Sequence, residues 1–339
     1  MKRKLSILLA TTMMLFLAAC GSTTPSGSGA AAPKDVIKIG WVPCLCWTSW
    51  ASVPEALGSS NLKIELVPFK SSNDVIVGLS SGSIDMGTAG YNNAASLLVK
   101  QELQAKYVSG ISANGSVFVA SPKSGIKSWA DLRGKKIGTV RGSTQYVNLV
   151  TGMKAQGLDL NKDSEFVNFQ NFNDLNLALQ RGDVDAMTTF PPNSGIAVSG
   201  GYGVEVPDIN ETLYDGSFYV ASGVLATNKL IDSRPDDVQK IVDTLYAQGE
   251  KLNGDKKLWV DTFAKFATST DPAALLAALN AEQTKWDPQL NEDQLNKVAS
   301  TLAELKEIPR DTSVELTAML DYSFLEKASG KTAAALGRK

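Results

Sequence analysis

The chain has 339 residues, is 43% hydrophobic and contains no histidine. Serine or cysteine nucleophiles usually pass a proton to an imidazole, and most zinc sites and neutral-pH proton shuttles also use one, so the composition argues against those chemistries. A net charge of -2 gives no electrostatic case for nucleic acid, and the length fits about two domains or lobes.

The first twenty residues, "MKRKLSILLATTMMLFLAAC", place Lys2, Arg3 and Lys4 before an apolar run from Leu5 to Leu17. The run is too short for a membrane span, which needs about 20 apolar residues. Leu17-Ala18-Ala19-Cys20 resembles a bacterial lipobox, which implies a signal peptide over residues 1–19 and a lipid on Cys20. Removing that signal takes three of the 33 basic residues and leaves 30 against 35 acidic ones. Residues 20–34 carry almost no large apolar side chain and read as a flexible tether. The folded part is thus expected on the extracytoplasmic face of a membrane, anchored to one leaflet.

"VIKIGWVP" (Val36–Pro43) and "LKIELVPF" (Leu62–Phe69) read as buried strands, with helix around Ser49–Leu57 between them. Cys44 and Cys46 follow the first strand. A disulfide across one residue is strained but compatible with an oxidising compartment. A metal site lacks a histidine or further cysteine to complete it. A structural or ligand-lining role is the better reading.

Next, "NDVIVGLSSGSIDMGTAG" predicts a helix ending near Gly82 and a strand over Ile84–Gly87. The pattern recurs 100 residues later: Leu79, Gly82, Ile84 and Asp85 correspond to Leu179, Gly182, Val184 and Asp185. Strands alternating with helices in two similar units predict an α/β protein of two lobes built alike. "GSVFVAS" (Gly115–Ser121) and "GSFYVASGVLAT" (Gly216–Thr227) bracket the second unit and read as crossover strands at a hinge. After Thr227 the chain is predicted helical, in five stretches packing on the first lobe. Asp236, Asp271 and Asn291 suit early helix or cap positions.

Five segments carry a family resemblance: "IKIGWVP", "LSSGSIDMGTAG", "SWADLRGKKIGTVRGSTQYVNLVTGMKAQGL", "LALQRGDVDAMTTFPP" and "GSFYVASGVLAT". They resemble the solute-binding proteins of nitrate, sulfonate and taurine ABC importers, a superfamily that includes thiamine-precursor binders. The resemblance implies the two-lobed type II periplasmic-binding-protein fold, each lobe a mostly parallel sheet flanked by helices. Lobe I takes residues 35–118 and 219–330, and lobe II residues 119–218. It implies ABC permease and ATPase partners, a monomer, and neither enzyme activity nor a cofactor. Many sulfonate binders carry Trp-Asp-Pro after the "VDA" strand, where this chain has Phe190-Pro191-Pro192-Asn193. The segment Pro43–Trp50, with Trp47 and Trp50, is also aromatic, and the two points together leave room for a larger organic acid, aromatic ones included.

The stretch "TVRGSTQY" links a strand to a helix. Unpaired N–H groups at the helix start, with Gly142, Ser143, Thr144 and Arg141, make a seat for a sulfonate or carboxylate. Open α/β sheets bind ligands beyond the carboxyl ends of strands. That rule adds Trp47, Thr88, Tyr91, Asn92, Ser112, Asn114, Thr189, Phe190 and, near the second crossover, Tyr219. The expected ligand is a small organic anion, with a thiamine-type pyrimidine precursor as the alternative. The rivals are a ligand-sensing lipoprotein without transport, and an enzyme on the same fold. The related deaminase carries its cofactor on a cysteine in another region, and the related pyrimidine synthases consume a histidine absent here.

Overall fold

The computed structural model describes residues 36–58, 61–100, 103–214, 222–267 and 271–339. The expected signal, the lipidated Cys20, the tether and Tyr219 lie outside these residues. The strands are β1 Val36–Trp41, β2 Lys63–Pro68, β3 Met86–Gly90, β4 Ala105–Asn114, β5 Val117–Ala120, β6 Lys136–Thr139, β7 Glu165–Asn168, β8 Ala186–Thr189, β9 Val204–Glu205, β10 Ser222–Thr227 and β11 Thr284–Trp286. They form two sheets, ordered β11-β4-β10-β3-β1-β2 and β7-β6-β8-β5-β9. Each has a parallel core of three strands, β2-β1-β3 and β7-β6-β8. The rest pair antiparallel, so the sheets are mixed where a mostly parallel pairing was expected. Central strands such as β3 and β8 are buried along their whole length, as strands covered on both faces must be.

The repeat read from the sequence extends to individual hydrogen bonds. Helix Ser72–Ser81 starts at Ser71, whose Oγ accepts from Asp74 N, and ends at Gly82 with φ +70°. Helix Phe172–Arg181 starts at Asn171, whose side chain accepts from Asp174 N, and ends at Gly182 with φ +79°. Only a residue without Cβ takes that left-handed position at no steric cost. Asp85 Oδ2 then accepts from Lys38 N at 2.8 Å, and Asp185 Oδ2 from Lys136 N at 2.8 Å. In return Asp85 N donates to Lys38 O and Asp185 N to Lys136 O. Each aspartate therefore clamps the middle strand of its own sheet's three-stranded parallel core.

Several expectations change in detail. The strand expected over Ile84–Gly87 begins at Met86, because Asp85 is used in the clamp. The two crossover segments lead into different sheets, and residues 215–221 of the second lie outside the described residues. β5 pairs with β8 and β9 in the second sheet, while β10 lies between β3 and β4 in the first. The chain turns from β4 to β5 through Asn114 (φ +63°) and Gly115 (φ +101°). The stretch "DPAALLAALNAEQTKW" is a helix, Pro272–Asn280, followed by strand β11. "SVELTAMLDYSFLEKA" is two short helices, Ser313–Thr317 and Ser323–Ser329. Asp271 and Asn291 are N-caps, accepting from Ala273 N and Gln294 N. Asp236 sits in the first turn of helix Pro235–Gly254.

The C-terminal segment does not keep to the first sheet. Helix Pro272–Asn280 packs on helix Asn193–Ser199, which follows β8. Glu307 accepts a hydrogen bond from the hydroxyl of Tyr146 and from Arg141 Nη1, both following β6. Burial first, and then the neighbouring Glu307 carboxylate, pushes the Tyr146 phenol well above its usual 10.0. Burial does the same to Tyr107.

Two outcomes follow. Asp85→Ala and Asp185→Ala each leave a strand N–H unpaired and lower the unfolding free energy by about 1–3 kcal/mol in urea titrations. The repeat requires losses of similar size, and a twofold disparity in midpoint shift contradicts it. For the tyrosines, the unfolded chain ionises first, so it holds fewer protons than the folded one above pH 10.0. Their contribution is full below that pH and is lost as pH rises beyond it. Tyr146→Phe should flatten the alkaline loss of stability, read as denaturation midpoints between neutrality and strong alkali.

Candidate functional site

The carboxyl ends of strands from both sheets converge on one cavity of about 50 Å³. From the first sheet, the loop after β1 brings Val42, Cys44, Cys46 and Trp47. The turn after β2 brings Ser71, Ser72 and Asn73, and the helix after β3 brings Asn93. The end of β4 supplies Ser112, Asn114 and Gly115, and the start of β10 supplies Ser222. From the second sheet come Val140, Ser143, Thr144 and Gln145 after β6, Phe172 after β7 and Phe190 after β8. Among the described residues, no lining side chain carries a charge.

Three helices of ten, twelve and ten residues begin at this chamber: Ser72–Ser81, Thr144–Ala155 and Phe172–Arg181. First-turn N–H groups of such helices favour an anion, offset at two of them by the first-turn carboxylates of Asp74 and Asp174. Ser143 is the N-cap of the second, its Oγ accepting from Tyr146 N at 3.1 Å. Thr144 Oγ1 donates to Asn92 Oδ1 at 3.2 Å. The Gly142 carbonyl accepts from Asn92 Nδ2 at 2.7 Å and from Asn93 Nδ2 at 3.2 Å. Asn93 Nδ2 also reaches Asn73 Oδ1 at 2.8 Å. Gln145 Nε2 donates to Gly115 O at 3.3 Å. Side-chain amides thus stitch the two sheets together along one wall.

Opposite them, the walls are aromatic and sulfur-bearing. Trp47 is fixed by its indole N–H on Ser222 Oγ at 3.0 Å, and Ser222 Oγ lies 2.8 Å from Ser112 Oγ. Phe172 and Phe190 meet edge to face with ring centroids 4.6 Å apart. Past Val42, Phe172 and Phe190, a groove of about 400 Å³ continues toward Lys70 and Asp174. Cys44 and Cys46 form a disulfide and do not titrate. No group of three or more metal-ligating side chains occurs among the described residues.

Of the residues expected at the site, Trp47, Ser112, Asn114, Ser143, Thr144 and Phe190 line the chamber. Asn92 and Gly142 form the layer behind it through the bonds above. Thr88 and Thr189 are fully buried in their strands, with hydroxyls that make no hydrogen bond, and do not line it. Tyr91 is buried against the Tyr107 ring, centroids 5.0 Å apart. Arg141 is directed away: its guanidinium pairs with Glu307 at 3.4 Å and lies 5.1 Å from the ring centres of Tyr146 and Phe166. A cation at the strand end is drawn to a carboxylate and two ring faces instead of the chamber. Among the polar and aromatic lining residues, Ser71, Ser72, Asn73, Asn93, Phe172 and Ser222 were not anticipated. The strand-end rule reaches the turns after β2 and β7 as well, and applying it there finds four of the six.

A model of the family described as NMT1/THI5 like matches residues 58–249. An Escherichia coli (strain K12) protein named for aliphatic sulfonate binding is 30% identical over 173 residues. The match takes in 47% of this chain and 50% of that protein, so the chain spans about half the length of this curated relative. The solved alkanesulfonate-binding protein SsuA from Xanthomonas axonopodis pv. citri, bound to MOPS, superposes with a TM-score of 0.73 at 19% identity. It covers 86% of this chain and 100% of its own. The nitrate-binding protein NrtA from Synechocystis PCC 6803 superposes with a TM-score of 0.76 at 10% identity, over 90% and 91% of the two chains. At such identities the likeness speaks for the fold. The chain belongs to the NMT1/THI5-like family and has the fold of periplasmic solute-binding proteins.

Proposed function

We propose that this protein is the extracytoplasmic, lipid-anchored substrate-binding component of an ABC importer. It captures a small organic anion, a sulfonate or carboxylate, between lobes formed by residues 35–118 with 219–330 and by residues 119–218. Hinge motion closes the lobes on the guest, and the closed form is what a membrane permease receives. ATP hydrolysis in partner subunits, not this chain, drives transport. Attachment is through a lipid on Cys20, and the chain acts as a monomer.

One observation carries the reading: three helix N-termini and a set of neutral donors meet between two sheets, with no charged side chain among the described lining residues. Such a site holds an anion by oriented amides and hydroxyls. It offers no proton acceptor stronger than an amide or hydroxyl oxygen, which supports binding over turnover. The curated relative named for sulfonate binding adds support from sequence. A second reading rests on Trp47, Phe172, Phe190 and the amides of Asn73, Asn93 and Gln145, which also suit a planar pyrimidine. The absence of a facing cation favours that reading over a doubly charged ligand.

Calorimetry against alkyl and aryl sulfonates, aromatic carboxylates and thiamine-type pyrimidines tests both readings. Tight binding in one class, with the ligand recovered unchanged, is the expected result. No binding in any class, or conversion of one compound, refutes the proposal. Trp47→Ala should weaken the bound compound about 30-fold, because truncating a buried aromatic contact costs about 2 kcal/mol. Cys20→Ser should move the protein from the membrane fraction to the soluble one; retention on the membrane removes the anchor from the proposal.

A further inference from the structure

We infer that the Cys44–Cys46 bridge is a thiol-exchange site in the chamber wall, through which a dithiol reductant loosens the hold of the two halves on each other. The inference takes the chamber to be the ligand site, as proposed above, but its test needs no ligand, so the two fail separately.

The bridge spans a single residue, with Cα atoms 5.1 Å apart. Loop-closure entropy grows with the logarithm of the chain enclosed, so so short a bridge removes the least freedom from the unfolded chain. Its effect therefore falls on the folded loop itself. That loop has an unusual load. Leu45, between the two cysteines, is fully buried. Its N–H donates across to Pro191 O, in the segment after β8 of the other sheet, at 3.1 Å. Its carbonyl accepts from Trp259 Nε1 at 2.9 Å and from Thr48 Oγ1 at 2.8 Å. Cys46 N donates to Cys44 Sγ at 3.2 Å, and the next residue, Trp47, is held on Ser222. The bridge thus fixes one of the residues that tie one half of the molecule to the other. Both cysteines line the chamber but are buried, at 3% and 9% exposure, so exchange requires the chamber wall to open to the reagent.

The step is ordinary exchange. A thiolate of the dithiol attacks one sulfur and forms a mixed disulfide, while the other cysteine leaves as a thiolate and takes up a proton. The second thiolate of the reagent then displaces the remaining cysteine, which is protonated in turn. The reagent is oxidised to its disulfide, losing two electrons and two protons, and Cys44 and Cys46 gain them. Leu45 is then free of its ring, and the Leu45–Pro191 bond opens more often.

The test uses the full chain and dithiothreitol as the probe. Peptide mapping after maleimide labelling reports the state of Cys44 and Cys46, and amide exchange followed by mass spectrometry reports the loop. The expected result is no label on either cysteine before reduction and label on both afterwards. Exchange over residues 44–50 should become about tenfold faster, with helix Pro235–Gly254 unchanged. A Cys44→Ser/Cys46→Ser double variant should show the fast exchange without reductant and no response to it. Four results overturn the inference: label on both cysteines before reduction, no label at reductant levels where the fold persists, unchanged loop exchange after complete labelling, or loss of protection through the whole chain at once.

Discussion

A peptide carbonyl shielded from water needs a donor, and the half-buried one at Gly142 finds two on the helix that follows β3 of the other sheet. The turn after β6 presents that oxygen to the side-chain amides of Asn92 and Asn93, at 2.7 and 3.2 Å. With φ at +79°, Gly142 shapes a turn that an L side chain would strain. Ser143 and Thr144 come next and face the chamber. The helix that begins there is thus positioned by the other half of the molecule. Bringing the sheets together and building the chamber wall are the same event, because separating them returns these groups to water.

The same economy governs charge. Arg141 stands one residue before Gly142, where a cation would enter an anion site directly. Glu307 and the rings of Tyr146 and Phe166 draw it to the outer flank. What remains inside are dipoles: helix N-termini, hydroxyls and amides. Such groups hold an anion with a preorganised field and release it without leaving an unpaired charge behind. The chamber is compact at about 50 Å³, while the groove beyond the Phe172–Phe190 pair has room for a longer substituent.

Much of this was legible in the residues. The hundred-residue offset between Gly82-Ser-Ile84-Asp85 and Gly182-Asp-Val184-Asp185 foretold two halves, because cap, turn and strand start are each fixed by local chemistry. The strand-end rule and the helix-start argument together located six lining residues, since both depend on chain direction alone. Other features were hidden for one reason: they depend on residues distant in sequence. Arg141 meets a carboxylate 166 positions away. Thr88 and Thr189 end in covered strands, and their faces follow from neighbours that local pattern does not name. The C-terminal helices looked like a coat for the first sheet, because amphipathicity shows that a face is buried and not what buries it.

The central claim is that two halves close on a guest held between them. Val77 and Leu177 are exposed at equivalent positions of the repeat, one on each half, and suit spin labels. The pulsed electron resonance distance between them, with and without the compound that binds in calorimetry, tests the claim most directly. The account predicts a broad or longer distribution in the free protein and a single shorter distance when it is saturated. The same distribution in both states, with binding heat present, would contradict it.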